Sequence, residues 1–126
     1  MARFLWICLA GAAGTGARYL IGLWAGERLG TAFPFGTLIV NLTGCFLISF
    51  LMYLALNLAS FPPTLRLVLT TGFLGGLTTY SSFNYETTRL LHDGAHRTAL
   101  LNLGVTLGGC FVAGLLGLAL ARRLLG

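Results

Sequence analysis

Apolar residues fill four long runs, at about residues 4–25, 36–58, 65–91 and 98–121, and polar residues are held to short gaps between them and thin stripes within them. With a helical rise of about 1.5 Å per residue and a hydrocarbon core about 30 Å thick, each run is long enough to cross a bilayer. The pattern predicts an all-α membrane protein: a single domain, residues 1–126, of four transmembrane helices. Pro34 in the first gap and Pro62-Pro63 in the second exclude helix continuation, and the third gap reads His92-Asp93-Gly94-Ala95-His96. The start of the first run, with Arg3 ahead of Leu5 to Leu9 and Ala10-Gly11-Ala12 behind, has the look of a signal peptide. Apolar character that continues through Tyr19 to Trp24 argues instead for a retained span.

The third run differs in kind. Its roughly 27 residues exceed what a regular helix needs to cross. Residues 70–86 read TTGFLGGLTTYSSFNYE, with three glycines and six Ser or Thr hydroxyls inside an otherwise apolar stretch. Gly75-Gly76 followed by Thr78-Thr79 weakens a helix at membrane depth, where freed backbone groups must face protein, ion or water. The reading is a third helix broken near Gly75–Thr79, with something bound there. Beyond the break Tyr80 and Phe83 stand three apart and share a helical face, with the hydroxyls of Ser81 and Ser82 between them. Glu86 follows, one turn from Ser82 and within reach of Arg89. Breaks, aromatics and hydroxyls at mid-membrane suggest an ion pathway, and a surface ion pair with Arg89 is the plainer reading of Glu86.

Two polar stripes accompany this stretch. Thr37, Asn41, Cys45 and Ser49 recur every four residues on the second run, and Asn102, Thr106 and Cys110 do so on the fourth. The Asn41 amide can donate to an anion or make an interhelical hydrogen bond, and the helix alone does not choose between them. Arg18, inside the first run, either snorkels to the interface or lines an anion-attracting vestibule. Ala12 and Gly16, Gly22 and Gly26, and Gly104 and Gly108 have the four-residue spacing that lets helices approach closely.

Composition narrows the class. At 56% hydrophobic and 9% charged, the chain has too little polar surface to cover a soluble globule. The formal charge of +5 comes from eight arginines placed singly or as one terminal pair, so it reflects membrane flanks and not a nucleic-acid face. Cys8, Cys45 and Cys110 are odd in number and lack metal-ligand spacing, which makes them small packing residues. His92 and His96 are four apart, a spacing that binds zinc on a helix, but Gly94 lies between them and no third ligand accompanies them.

Four spans put Arg3, Arg66, Arg122 and Arg123 on one side and Arg28, Arg89 and Arg97 on the other, with Arg18 able to even the count. That leaves almost no bias for the positive-inside rule to act upon. Four short helices also cannot enclose a pore, so an oligomer is expected. Insertion both ways up would allow an antiparallel homodimer, the two-chain version of an inverted repeat.

The order GTLIVN (residues 36–41), then TTGFLGGLTTYSSF (residues 70–83), then Glu86 closely resembles the Fluc family of fluoride channels, known also as CrcB-like proteins. The resemblance covers all four spans. It implies a fluoride-selective channel in the inner membrane of a prokaryote, working as an antiparallel dual-topology homodimer with two fluoride pathways that export cytoplasmic fluoride passively. It implies too a structural sodium ion at the dimer interface, held by backbone carbonyls of Gly75 and Thr78. Carried over by position, Tyr80 and Phe83 match the pathway aromatics, Asn41 a pore asparagine and Arg18 the buried arginine of the first helix. Ser81, Ser82 and Glu86 match a group of hydroxyls and a carboxylate along the pathway. Thr37 belongs with the pathway through its stripe, and Asn102, Thr106 and Cys110 fall on the family's polar track. The chain departs from the family pattern where Tyr80 stands for the usual phenylalanine, and where Asn102 and Cys110 replace a more typical tyrosine and serine.

The chemistry of the pathway residues fits such a role, since a small, strongly hydrated anion needs hydrogen-bond donors at each step of its crossing. Two other classes compete. A small dual-topology proton-coupled multidrug exporter would need a membrane-embedded carboxylate, which the first run lacks. A membrane assembly protein packing by its glycines would leave the polar stripes unexplained. No nucleophile–base pairing or phosphate loop points to an enzyme.

Overall fold

The computed structural model describes residues 1–126, which form helices and turns only. Helix α1 spans Ala2–Leu29 and α2 spans Phe35–Asn57. Next, α3 (Pro63–Leu67), a π-helical segment (Val68–Leu74) and α4 (Gly75–Leu77) run head to tail. After Thr78 and Thr79 come α5 (Tyr80–His92) and α6 (His96–Leu125). Three helices, α1, α2 and α6, are long and apolar enough to cross a membrane. The third apolar run reaches comparable length only as a sum of pieces.

The ends of these elements follow from local chemistry. Pro63 stands in the first turn of α3, where its missing N–H costs nothing. Gly30 closes α1 at φ 84° and Gly94 follows α5 at φ 81°, backbone that a side chain resists. Behind Gly94 the bonds Gly94 N to Leu91 O (3.1 Å) and Ala95 N to Leu90 O (2.8 Å) complete a Schellman motif, turning the chain from α5 into α6. His92 therefore ends one helix and His96 begins another, and the one-helix zinc geometry does not form.

Between α4 and α5 the backbone leaves the helical region at Thr78 (φ −90°, ψ 155°) and Thr79 (φ −154°, ψ 116°). Gly75 and Gly76 remain helical, so poor helix propensity of glycine is not what ends α4. Their neighbours supply the reason for one of them. A Cβ on Gly76 would overlap the Gly11 carbonyl oxygen and sit 2.9 Å from Thr15 N. Gly72 has the same relation to Ile7 O and Ala10 Cβ, both at 2.9 Å, and Gly14 meets the Phe73 carbonyl from the other side. α1 thus lies backbone against backbone along the π segment and α4.

α2 is the hub. It makes the most extensive helix pair with α6, and it also touches α1 and the pieces of the third run. Gly36 lies against Gly22 Cα of α1, Gly44 against the Thr78 side chain, and Gly117 of α6 against the Phe46 carbonyl. Within the chain a Cβ on Gly16, Gly104 or Gly108 would meet nothing inside 4 Å, so the close packing inferred from their spacing falls on other glycines. The π segment had no counterpart in the sequence reading. At its start Thr70 Oγ1 donates to Arg66 O (2.7 Å), and π turns of this kind are frequent near functional sites.

Adding a methyl at a backbone contact forces two helices apart, at about 1–3 kcal/mol. Gly76→Ala and Gly117→Ala are expected to lower the thermal unfolding midpoint of the detergent-solubilised protein, whereas Gly104→Ala leaves it unchanged; circular dichroism melts check this.

Candidate functional site

Ending α4 three residues before α5 begins frees the carbonyls of Gly75 to Thr78 and the first amides of α5, and at membrane depth these need partners. The chain supplies most of them. Arg18 reaches across from α1, its Nε donating to Gly76 O at 3.0 Å. This places a cation on the C-terminal end of a helix, where the macrodipole is negative. Arg18 is half-buried and serves here as a cap. Thr78 folds back on Leu74 O through both its N–H (3.0 Å) and its hydroxyl (2.8 Å).

Asn41 holds the extended residue at two points. Its Oδ1 accepts from Thr79 N (2.8 Å) and its Nδ2 donates to Thr79 O (3.0 Å), so the side-chain amide pairs with the main chain as a neighbouring strand would. Asn41 is 7% exposed. The interhelical bond is thus made, and one Nδ2 hydrogen is left over. Thr79 also caps α5: Ser82 N donates to its Oγ1 (3.2 Å), while that hydroxyl donates to Ser82 Oγ (3.1 Å). Ser81 Oγ lies 3.3 Å from the same hydroxyl.

Two carbonyls go without their helical donors for a positive reason. Thr79 N turns to Asn41, leaving Gly75 O, and Ser82 N turns to Thr79 Oγ1, leaving Thr78 O. Gly75 is exposed at the surface of the chain.

One cavity opens beside the break and a second lies further along α5. The smaller, about 240 Å³, is lined by Asn41, Cys45, Thr78, Thr79, Tyr80, Phe83, Thr106, Leu107 and Cys110. Phe83 is 3% exposed and Tyr80 73%, their ring centroids 5.6 Å apart and their planes at 76°. In this edge-to-face pair the buried ring belongs to the chain's interior and the other stands at its open side. The larger cavity, about 470 Å³, lies at the α5–α6 turn end and includes Thr37, Glu86, Arg89 and Asp93. Thr37 Oγ1 donates to Glu86 Oε1 at 2.6 Å, and Glu86 Oε2 is buried without a partner. Arg89 pairs with Asp93 (3.8 Å) rather than with Glu86. Thr37 of the larger cavity and Asn41 of the smaller are one turn apart, about 6 Å along α2.

The stripe of the fourth run divides. Thr106 and Cys110 reach the smaller cavity, but Asn102, 1% exposed, is enclosed between α5 and α6. Its Nδ2 donates to Thr87 Oγ1 (2.8 Å), Thr87 Oγ1 donates to Phe83 O (2.7 Å), and Thr106 Oγ1 donates to Asn102 Oδ1 (3.1 Å). Thr87, absent from the sequence reading, links this ladder to the aromatic residue. Four threonine hydroxyls near the site, on Thr37, Thr78, Thr87 and Thr106, have thus spent their hydrogens inside the protein. Hydrogens left to an incoming ligand come from Asn41 Nδ2, the Ser82 hydroxyl, the Tyr80 phenol and the thiols of Cys45 and Cys110.

A family described as CrcB-like protein, Camphor Resistance (CrcB), matches residues 5–118. The fluoride-specific ion channel FluC of Sorangium cellulosum is 49% identical over 99% of this chain and 98% of its own length. The proteins of the same name from Anaeromyxobacter sp. and Citrifermentans bemidjiense are 48% and 45% identical, over 100% and 98% of this chain and the whole of each relative.

Removing the Asn41 amide leaves Thr79 N and O unpaired in an apolar setting, about 1–3 kcal/mol for each group. Asn41→Leu is therefore expected to lower the melting midpoint and to speed amide exchange at Thr79 and the first turn of α5, read by hydrogen–deuterium exchange; exchange as slow as in the parent would remove the clamp.

Proposed function

This chain belongs to the CrcB-like protein family, and on that footing we propose that it is a fluoride-selective channel that lets cytoplasmic fluoride leave the cell down its gradient. The observation that carries the reading is near-half identity, over the full length, to relatives named as fluoride-specific ion channels. It is a multi-pass membrane protein, and the membrane we assign it to is the inner membrane of a prokaryote. A channel has no covalent chemistry to perform, so the residues at the break act by position and charge.

The working unit in this proposal is an antiparallel homodimer. Three features support it: the near-equal arginine count at the two ends, the exposed Tyr80 beside a buried Phe83, and the exposed Gly75. Each smaller cavity would be closed by the partner chain, giving two pathways. Fluoride entering from the wider cavity would pass Thr37 and Glu86 and meet Asn41 one turn further on. There the free Nδ2 hydrogen and the positive ring edges of Tyr80 and Phe83 would replace water. Ser82 offers a further hydroxyl and Ser81 a neighbouring one. Thr106 and Asn102, whose hydrogens are engaged with each other and with Thr87, would hold Phe83 in place, while Cys110 borders the pathway. Arg18 keeps a positive charge close to the break without standing in the way.

Sodium fits the same break. A hard cation takes oxygen ligands, and the Gly75 and Thr78 carbonyls have lost their helical donors to Asn41 and Thr79. When bound, sodium would supply fixed positive charge at the dimer axis. Its carbonyl ligands come from the main chain, so no side-chain signature is required of them.

Purified protein in liposomes is expected to release fluoride on addition of an ionophore while retaining chloride; release equal to that of empty liposomes would overturn the channel reading. Asn41→Asp keeps the oxygen that accepts from Thr79 N but puts a negative charge where the anion passes, so flux is expected to fall to background while the mass in detergent stays that of the dimer. Exchanging sodium for N-methylglucamine is expected to lower the melting midpoint, by mass action on a site present only in the folded state. A midpoint independent of sodium would remove the ion from the proposal.

A further inference from the structure

Cys45 and Cys110 come from different helices, yet the close packing of α2 on α6 at Gly109, Gly114 and Gly117 brings both to the wall of one cavity of about 240 Å³. Both are free, both are half-buried, and both line the cavity beside Asn41 and Phe83. Neither is needed to satisfy a freed backbone group, and the apolar packing role read from the sequence does not account for two thiols that share one cavity. No third histidine, cysteine or carboxylate joins them. Zinc, which asks for a fourfold ligand set, is thereby excluded. Soft cations of filled d shell that are content with two sulfur ligands in line are not.

We propose that Cys45 Sγ and Cys110 Sγ form a two-coordinate binding site for a soft monovalent cation of the copper(I)–silver(I) class. Two sulfur–metal bonds form, two S–H bonds break, and both protons pass to solvent water, with no change of oxidation state. The neutral thiol pair becomes a bis-thiolate complex of net charge −1. That charge and the bulk of the metal then stand beside Asn41 and Phe83. Binding itself is independent of what the cavity conducts. The consequence, closure of the cavity to anions, rests on the channel reading above.

The test uses silver nitrate in chloride-free buffer and the full-length protein carrying Cys8→Ala, which removes the exposed thiol on α1. Calorimetry is expected to give one silver per chain with proton release visible as a buffer-dependent heat. Cys45→Ser and Cys110→Ser are each expected to weaken binding about a hundredfold, since each leaves one ligand where two acted together. Affinity unchanged in either variant overturns the site. Should a serine variant fail to fold, alkylation of the Cys8→Ala protein by N-ethylmaleimide decides the matter: silver is expected to protect both remaining thiols together, and equal labelling with and without silver overturns the proposal. In liposomes, fluoride release blocked by silver in the Cys8→Ala protein, with its Cys45→Ser derivative keeping whatever rate that variant shows before silver, supports the closure, and release that silver does not alter in the Cys8→Ala protein overturns it. Absence of any release before silver is added strikes at the channel reading alone and leaves the calorimetric result standing.

Discussion

A helix interrupted within an apolar run leaves polar backbone groups that need new partners, and the rest of this structure is arranged around that constraint. Arg18 takes the Gly76 carbonyl, Asn41 takes both main-chain groups of Thr79, and Thr78 folds back on Leu74. Each partner comes from a different direction, and each must arrive at hydrogen-bond distance. Residues without side chains make that possible: Gly76 lets α1 come close enough for Arg18 to reach, and Gly44 gives the Thr78 side chain room beside α2. Packing and polar satisfaction are here one problem, because a methyl group at either glycine would move the donors off their acceptors.

The same arrangement decides which polar residues remain chemically available. A threonine in an apolar span has one hydrogen, and four of those around the break have already given theirs to the protein. What remains is a short set: half of an asparagine amide, a serine hydroxyl, a phenol and two thiols. Such sparseness suits an anion that has to be released again at each step, since a surplus of donors would hold it.

Three of the apolar runs, now α1, α2 and α6, were readable as long helices from residue patterns because length and hydropathy are set by the bilayer, and GTLIVN, TTGFLGGLTTYSSF and Glu86 were enough to suggest the family. Individual contacts were less legible. Gly104 and Gly108 have the spacing of a packing pair, but spacing does not say which face of α6 meets α2, and the contacts fall at Gly109, Gly114 and Gly117 instead. Glu86 has Arg89 within reach along its own helix, yet its partner is Thr37 of α2, a choice fixed only once the helices pack. Asn102 carries the period of its stripe but faces Thr87, which no periodic argument singles out. The π segment likewise escapes, since nothing in VLTTGFL marks a wider turn. Thr79 was visible as part of the break, and its role as the residue held by Asn41 was not.

The seam of α1 against the π segment and α4, and the α2–α6 contact at Gly117, bring main-chain atoms together. Side chains can swing to new rotamers when an interface is pushed, but backbone against backbone has no such freedom. A wall built this way is stiff: it yields only if whole helices translate. The cavity beside Asn41 is therefore backed by helices with little compliance, and its width changes through the side chains that line it. Discrimination by ion size would then rest on side chains held against a stiff backing, without any movement of the helices themselves.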